Sequence, residues 1–221
     1  MSDGYGQFRP NDGTADFNAL NFIITQKLAR VRTIILAKVV AVTSAGEVAE
    51  AGLIDVQPIT NMVDGDNNAS QHGVIHNILY ERVQGGLNAI IMDPQVGDIG
   101  RVAICDRDIS ANKAVRGIAN PGSYRRFSFS DGVYLGGVLN GVPNQYVQFN
   151  DLGIAIVDKN GNSVVMNADG ITITDCNGNI IDMSAAAIAT TGLLKNNGKA
   201  VGSTHTHSGV TTGSGDTGVP V

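Results

Sequence analysis

Two histidines in the run Thr204-His205-Thr206-His207, near the end of this 221-residue sequence, have the types and spacing best suited to chemistry. Neutral imidazole is a common metal ligand. In an extended strand, residues i and i+2 point to one face, roughly 6.6 Å apart along the chain. His205 and His207 can therefore grip one ion. One chain supplies only these two ligands, and the same pattern also occurs in solvated tails. It becomes a full coordination sphere where identical chains meet on a symmetry axis, because three copies offer six nitrogens.

Other reactive side chains point elsewhere. His72 and His76, at i and i+4, share a strand face but have no third ligand type beside them, which favours structural or surface roles. Glycoside hydrolysis needs two carboxylates facing each other across ~5–9.5 Å. Asp158 and Asp175 occupy equivalent repeat positions, but each precedes an Asn-Gly turn, where Asp has an ordinary turn-forming role. Cys105 and Cys176 are isolated in sequence and read as reduced, small apolar residues of a protein folded in the cytosol. No Ser-His-Asp arrangement or phosphate-cradling Gly loop is visible. The chain reads as a non-enzyme with no catalytic residues and no small-molecule substrate.

Composition narrows the partners. The net charge is −5, and the basic residues are scattered apart from Arg125-Arg126. That argues against a phosphate-binding surface and hence against nucleic acid. Gly is abundant at 28 residues, Trp is absent and aromatics are 5%. Many short strands joined by tight turns fit this profile better than an aromatic-lined pocket. No basic leader followed by an apolar run marks a signal peptide, and no apolar stretch nears the ~20 residues of a spanning helix.

The elements that must position the histidines follow from periodicity. Asp16 to Arg32 has a helical pattern, with Phe17, Leu20, Ile23, Ile24, Leu28 and Val31 on one broad face and Thr14 or Asp16 as candidate caps. This helix either docks on a partner or packs on its own domain. From Thr33 the pattern turns to strands: Ile34–Val42, Leu53–Ile59, Val74–Val83, Ala89–Met92 and Gly100–Cys105. Five short strands at this spacing predict a small closed antiparallel barrel of the OB type, which an SH3-like barrel would mimic in sequence. Asp106 to Tyr124 reads as a polar connector with a helical turn at Ala111–Val115, followed by a hairpin-like segment from Arg125 to Gly137.

Then the sequence repeats. Gly153-Ile-Ala-Ile-Val-Asp-Lys-Asn-Gly-Asn-Ser-Val-Val-Met166 aligns with Gly170-Ile-Thr-Ile-Thr-Asp-Cys-Asn-Gly-Asn-Ile-Ile-Asp-Met183 at a constant offset of 17. Each unit reads as strand, Asn-Gly turn, strand. A degraded third unit begins at Ala187-Ile188-Ala189-Thr190, with a shifted turn at Asn196-Asn197-Gly198. Burying an aliphatic side chain yields ~1.5–3 kcal/mol, whereas ordering backbone costs ~1–2 kcal/mol for every residue. A lone unit with four apolar side chains loses that balance. Its stripe calls for cover by copies. Stacking within one chain gives a solenoid, for which a period of 17 and two or three units are short. Winding three chains on one axis instead supplies three stripes at every level. The alternative is a pair of tandem hairpins packed onto the barrel.

A barrel, Asp-Gly and Asn-Gly β repeats, His205-Thr206-His207-Ser208-Gly209-Val210 and a Gly-rich close with Thr217-Gly218-Val219-Pro220 together resemble the central baseplate spike of Mu-type contractile-tailed bacteriophages. The Pro94-Gln95-Val96-Gly97-Asp98 turn and Ser130-Asp131-Gly132-Val133 are also similar to that family, and the resemblance covers Thr33 to Pro220. It implies an all-β homotrimer: an OB-fold barrel followed by an intertwined triple-stranded β-helix with a metal-bound apex. On that basis 1–32 is an N-terminal arm and helix, 33–106 the OB-fold barrel, 107–144 a connector, 145–202 the β-helix and 203–221 the metal-binding apex. The resemblance further implies one octahedral iron per trimer, held by His205 and His207 of three chains. Six nitrogens suit Fe(II) or Ni(II) and not zinc, which prefers four tetrahedral ligands. Calcium and chloride also occur in such spikes, with no residues assigned here.

The implied partners are the tail baseplate hub protein and the host outer membrane, pierced mechanically on tail contraction. The implied location is the virion tail tip after folding in the host cytoplasm. The competing expectation is a receptor-binding tail fibre tip with a structural His-X-His metal site. That class would carry several such motifs along a shaft and no barrel.

Overall fold

Alternation of buried apolar and outward polar residues builds the first part of the chain. The computed structural model describes residues 10–43, 48–63, 68–184 and 188–202, divided between a unit ending at Gly141 and one starting at Val142. Among the described residues of the first unit there are two α-helices, α1 (Asp16–Leu28) and α2 (Ser110–Val115). Its strands are β1 (Ile34–Val42), β2 (Leu53–Pro58), β3 (Met62–Val63), β4 (Ala69–Ser70), β5 (Ile75–Tyr80), β6 (Val83–Gly85), β7 (Asn88–Ile90), β8 (Ile99–Ile104) and β9 (Gly132–Gly137).

Five of these close into a barrel in the order β1, β2, β5, β9, β8. Every neighbouring pair is antiparallel except β5 and β9, which run parallel with Leu79 opposite Val133 and Tyr80 opposite Tyr134. Closure leaves no edge strand to solvent. The core consists of Ala37, Val39, Ile54, Val56, Ile78, Tyr80, Val102 and Tyr134, with β1 and β2 contributing alternate residues. Where β2 and β5 slip register, Asn77 adopts a left-handed φ of 60°, which Asn tolerates better than most residues. Its N–H donates to Asp55 Oδ1 at 3.0 Å, and His76 Nδ1 meets Asp55 Oδ2 at 2.7 Å.

Three expected features differ: the parallel β5–β9 pair departs from the all-antiparallel barrel expected, and two further departures concern which segments form it. Ala89–Met92 is not a barrel strand; β7 pairs with β6 in a separate hairpin that turns at Gly86, φ 59°. Its Val83 and Ile90 are exposed, so this apolar run contributes nothing to the core. Arg82 and Asp93 clamp the hairpin's base through a buried fork, Nε–Oδ1 2.7 Å and Nη2–Oδ2 2.5 Å, and Arg82 Nη1 also donates to the Ala49 carbonyl.

The closing strand β9 comes instead from within 107–144, expected to be a connector between barrel and repeat. Gly132 permits this: a Cβ there would lie 2.6 Å from Val102 Cγ1 and 3.2 Å from the Phe129 carbonyl oxygen. The crossover from β8 to β9 is tied down by Arg125. Its Nε donates to Asp131 Oδ2 at 2.8 Å, and its Nη2 reaches Asp131 Oδ1 and Asp108 Oδ1, each at 2.7 Å. Lys113 Nζ on α2 donates to the carbonyls of Asn77 (2.9 Å) and Ser130 (2.8 Å).

Helix α1 forms as the periodicity predicts, but Ala15 is its N-cap, with no side-chain cap, and none of its residues is buried. Phe17, Leu20, Ile23, Ile24 and Leu28 all face outward. No helix among the described residues is long and apolar enough to cross a membrane.

The second unit contains β10 (Tyr146–Asn150), β11 (Gly153–Val157), β12 (Ser163–Asn167), β13 (Gly170–Thr174), β14 (Ile180–Ser184) and β15 (Ala189–Thr191), followed by β16 (Lys195–Asn196) and β17 (Lys199–Ala200). Strands β10 to β15 form one six-stranded sheet in sequence order, and β16 and β17 form a separate hairpin.

The barrel order makes a direct prediction. A fragment ending after Ile104 lacks the strand that pairs with both β5 and β8, and should show no cooperative melt by circular dichroism. Extension through Gly141 should restore one. A cooperative transition in the shorter fragment would contradict closure by β9.

Candidate functional site

The repeat builds a surface from its turns inward. Asp158 Oδ1 accepts the N–H of Asn160 (2.9 Å) and Asn162 (2.8 Å), while Oδ2 accepts Asn162 Nδ2 at 2.7 Å. Asp175 does the same with Asn177 (2.9 Å), Asn179 (2.8 Å) and Asn179 Nδ2 (2.8 Å). These bonds favour the ionised carboxylates and hold both below the usual Asp range, with the Asn162 and Asn179 side chains as the largest cause. Asn162 Oδ1 also accepts the N–H of Cys176 at 2.9 Å, linking one turn to the next.

At the opposite end, Asn150 Oδ1 accepts the N–H groups of Leu152 and Gly153, and Asn167 Oδ1 those of Asp169 and Gly170. Gly153 and Gly170 have φ of 138° and 141°, and a Cβ on either would collide with the carbonyl oxygen of Met166 or Met183. Asn150 and Asn167 keep the offset of 17 and extend the repeat three residues upstream of Gly153. That signal lay in the sequence alone.

These turns fix a register that sorts the side chains. Val147 stands opposite Ile156, Phe149 opposite Ile154, Ile156 opposite Val164, and Ile154 opposite Met166. The series continues with Val164 opposite Ile173, Met166 opposite Ile171, Ile171 opposite Met183, and Ile173 opposite Ile181. Directly opposed residues share a face, so ten apolar side chains from five adjacent strands cover one side of the sheet without a polar interruption. The other side is mixed, carrying Ala155, Val165, Thr172, Thr174 and Asp182.

Nothing within the described residues buries the apolar side. No hydrophobic side chain of this unit is among the buried ones, Phe149 is 75% exposed, and Ile156, Ile171, Ile173 and Ile181 are also exposed. Contiguous exposed apolar area of this kind marks an interaction surface. The adjoining Asp158 and Asp175 carboxylates are engaged by their own turns.

The remaining polar clusters have structural partners. Asp108 and Asp131 are buried on the Arg125 fork. Asp108 also accepts the Ser110 N–H and the Ser123 hydroxyl, and its carboxyl is held down to about 2, with Ser110 as the largest cause. Residue spacing gave no hint of this triad or of Arg82–Asp93, because partners 6, 17 and 11 residues apart match no helix or strand period and meet only once the intervening loops fold. His72 packs edge-on against Phe129 at 5.4 Å, and His76 pairs with Asp55, so each has a partner within the barrel unit. Cys105 and Cys176 are free thiols, and burial pushes the Cys105 thiol up.

Among the described residues no group of three or more His, Cys, Asp or Glu could hold a metal. His205 and His207 lie outside the described residues. No family model and no curated protein matches this chain.

The turn carboxylates predict an acid response. Both folded pKa values lie below the unfolded value of about 3.9, so their stabilisation is complete above that value and is lost as pH falls through the folded pKa. Asp158→Ala with Asp175→Ala should lower the urea midpoint of the repeat at neutral pH. The gap from wild type should narrow only below about pH 4. A gap that is already closing near pH 6 would contradict the assignment.

Proposed function

We propose that this chain is the central spike of a contractile phage tail baseplate, assembled as a homotrimer that pierces the host outer membrane mechanically. The observation that carries the reading is the unbroken apolar face of β10 to β14, which nothing among the described residues of its own unit covers. Three such faces turned to one axis would bury one another in an intertwined β-helix. Strands of five residues with turns at both ends provide closely spaced rungs for such a shaft. The barrel order, with its one parallel pair, supports an OB-type collar. The outward apolar face of α1 supports attachment to the baseplate hub protein.

In this reading sheath contraction supplies the force, and the protein supplies a stiff, hydrogen-bonded needle. His205 and His207 of three chains would hold one iron at the apex. All six donors are neutral imidazoles, a set that suits an octahedral transition metal. The ion's contribution is to fasten chain ends that otherwise fray; it performs no reaction. A tail fibre tip with a similar metal site is the alternative, and the barrel counts against it.

Two outcomes follow. Ile173→Asp would set like charges near one axis in a desolvated place, so the trimer should fall to monomers while the barrel still melts cooperatively; a trimer that survives this change counts against the axis. Elemental analysis should find one metal ion for three chains, with affinity dropping below pH ~6.5 as imidazole protonates. His205→Ala with His207→Ala should remove the ion and leave the trimer intact. Metal retained in that double variant would show that the two histidines are not the ligands.

A further inference from the structure

We propose that Asn197 is the site of spontaneous deamidation in this chain, its side-chain amide becoming a carboxylate through a succinimide formed with Gly198. The inference is independent of the spike reading. The Gly198 backbone nitrogen attacks Asn197 Cγ, a new N–Cγ bond forms, and Nδ2 leaves as ammonia with the proton lost from Gly198. Water then opens the ring at either carbonyl, its hydroxyl going to carbon and its hydrogen to nitrogen, to give aspartate or isoaspartate. Water in and ammonia out complete the balance, with no oxidation or reduction.

Glycine after asparagine favours this reaction because no Cβ obstructs the approach of its nitrogen. The chain has four such pairs: Asn140-Gly141, Asn160-Gly161, Asn177-Gly178 and Asn197-Gly198. The structure separates them.

In the repeat turns the attacking nitrogen is already engaged. The Gly161 N–H donates to the Asp158 carbonyl at 3.2 Å, and the Gly178 N–H to that of Asp175 at 3.1 Å. The amides to be attacked are held too: Asn160 Nδ2 donates to Asp158 Oδ2 at 3.2 Å, and Asn177 Nδ2 to Asp175 Oδ2 at 3.4 Å. Five-residue ladders flank both turns. Asn140 is pinned differently, its Oδ1 accepting the Ile99 N–H at 2.8 Å.

Asn197 has none of these restraints. It is exposed, with φ 49°, and Gly198 has φ 79°. The two form a tight turn of the I′ kind between the paired Asn196 and Lys199. Among the described residues neither the Asn197 side chain nor the Gly198 N–H has a hydrogen-bond partner. Two residue pairs and one further bond, from the Val201 N–H to the Leu194 carbonyl at 2.9 Å, hold the hairpin together, and so short a ladder is marginal in water. The turn can therefore open locally and bring Gly198 nitrogen to Cγ without unfolding the sheet. The product adds one negative charge to a chain of net −5, on a hairpin that bears Lys195 and Lys199.

The test is peptide mapping of the full-length protein during prolonged incubation in mildly alkaline buffer. Aspartate and isoaspartate should accumulate at Asn197 at least about tenfold faster than at Asn160 or Asn177, and Asn197→Gln should abolish the fast component. In urea the four pairs should react at similar rates. Comparable native rates at Asn160, Asn177 and Asn197 would overturn the proposal. So would faster conversion at Asn140, no conversion at Asn197 in the folded protein, or the same ranking in urea as in buffer.

Discussion

Ile154, Ile156, Val164, Met166, Ile171 and Ile173 stand in directly opposed pairs on one side of a sheet whose strands are five residues long. A ladder that short brings cross-strand pairs together but folds no second layer over them. Each opposed pair contributes on the order of 0.2–1 kcal/mol beyond an alanine pair, little against the ~1–2 kcal/mol that each ordered residue costs in backbone entropy. Burial of the apolar face is the larger remaining source of stability, and among the described residues of its unit the face is open. Other features of the repeat serve to keep that face continuous.

The turns accomplish this with polar chemistry kept at the sheet's two ends. Asp158 and Asp175 close one end, and Asn150 and Asn167 the other, each satisfying turn N–H groups with its own side-chain oxygens. Because a strand's side-chain period is two, a slip of one residue would turn every isoleucine to the mixed side. Gly153 and Gly170 prevent that slip by occupying backbone conformations and close approaches that a side chain would not survive. The barrel unit solves the same problem in a different way, by closing on itself around Tyr134 and Ile54 and pinning its long crossover with Arg125.

Much of this was legible where the signal is local. β-rich composition bounded by turn residues located β1, β5 and β8, alternation located β2, and the offset of 17 located β11 to β14. What was not legible depends on distant partners. The stretch around Ala89–Met92 is as apolar as a core strand, and its exclusion follows from the Arg82–Asp93 clamp across eleven residues. Strand β9 looks like a hairpin fragment, and becomes the closing strand only because Gly132 can sit against Val102 on β8. The helical face of α1 was plain in the spacing, but its exposure was not. The sequence features at Asn150 and Asn167 were present and become meaningful once their side chains are seen to cap turns.

The central claim is that copies of this chain cover the apolar face of the repeat. It is tested most directly by the native mass of the wild-type protein, measured by equilibrium sedimentation at micromolar concentration. The account predicts three times the chain mass of 23.0 kDa, unchanged on dilution through that range. A single 23.0 kDa species that remains folded would contradict it.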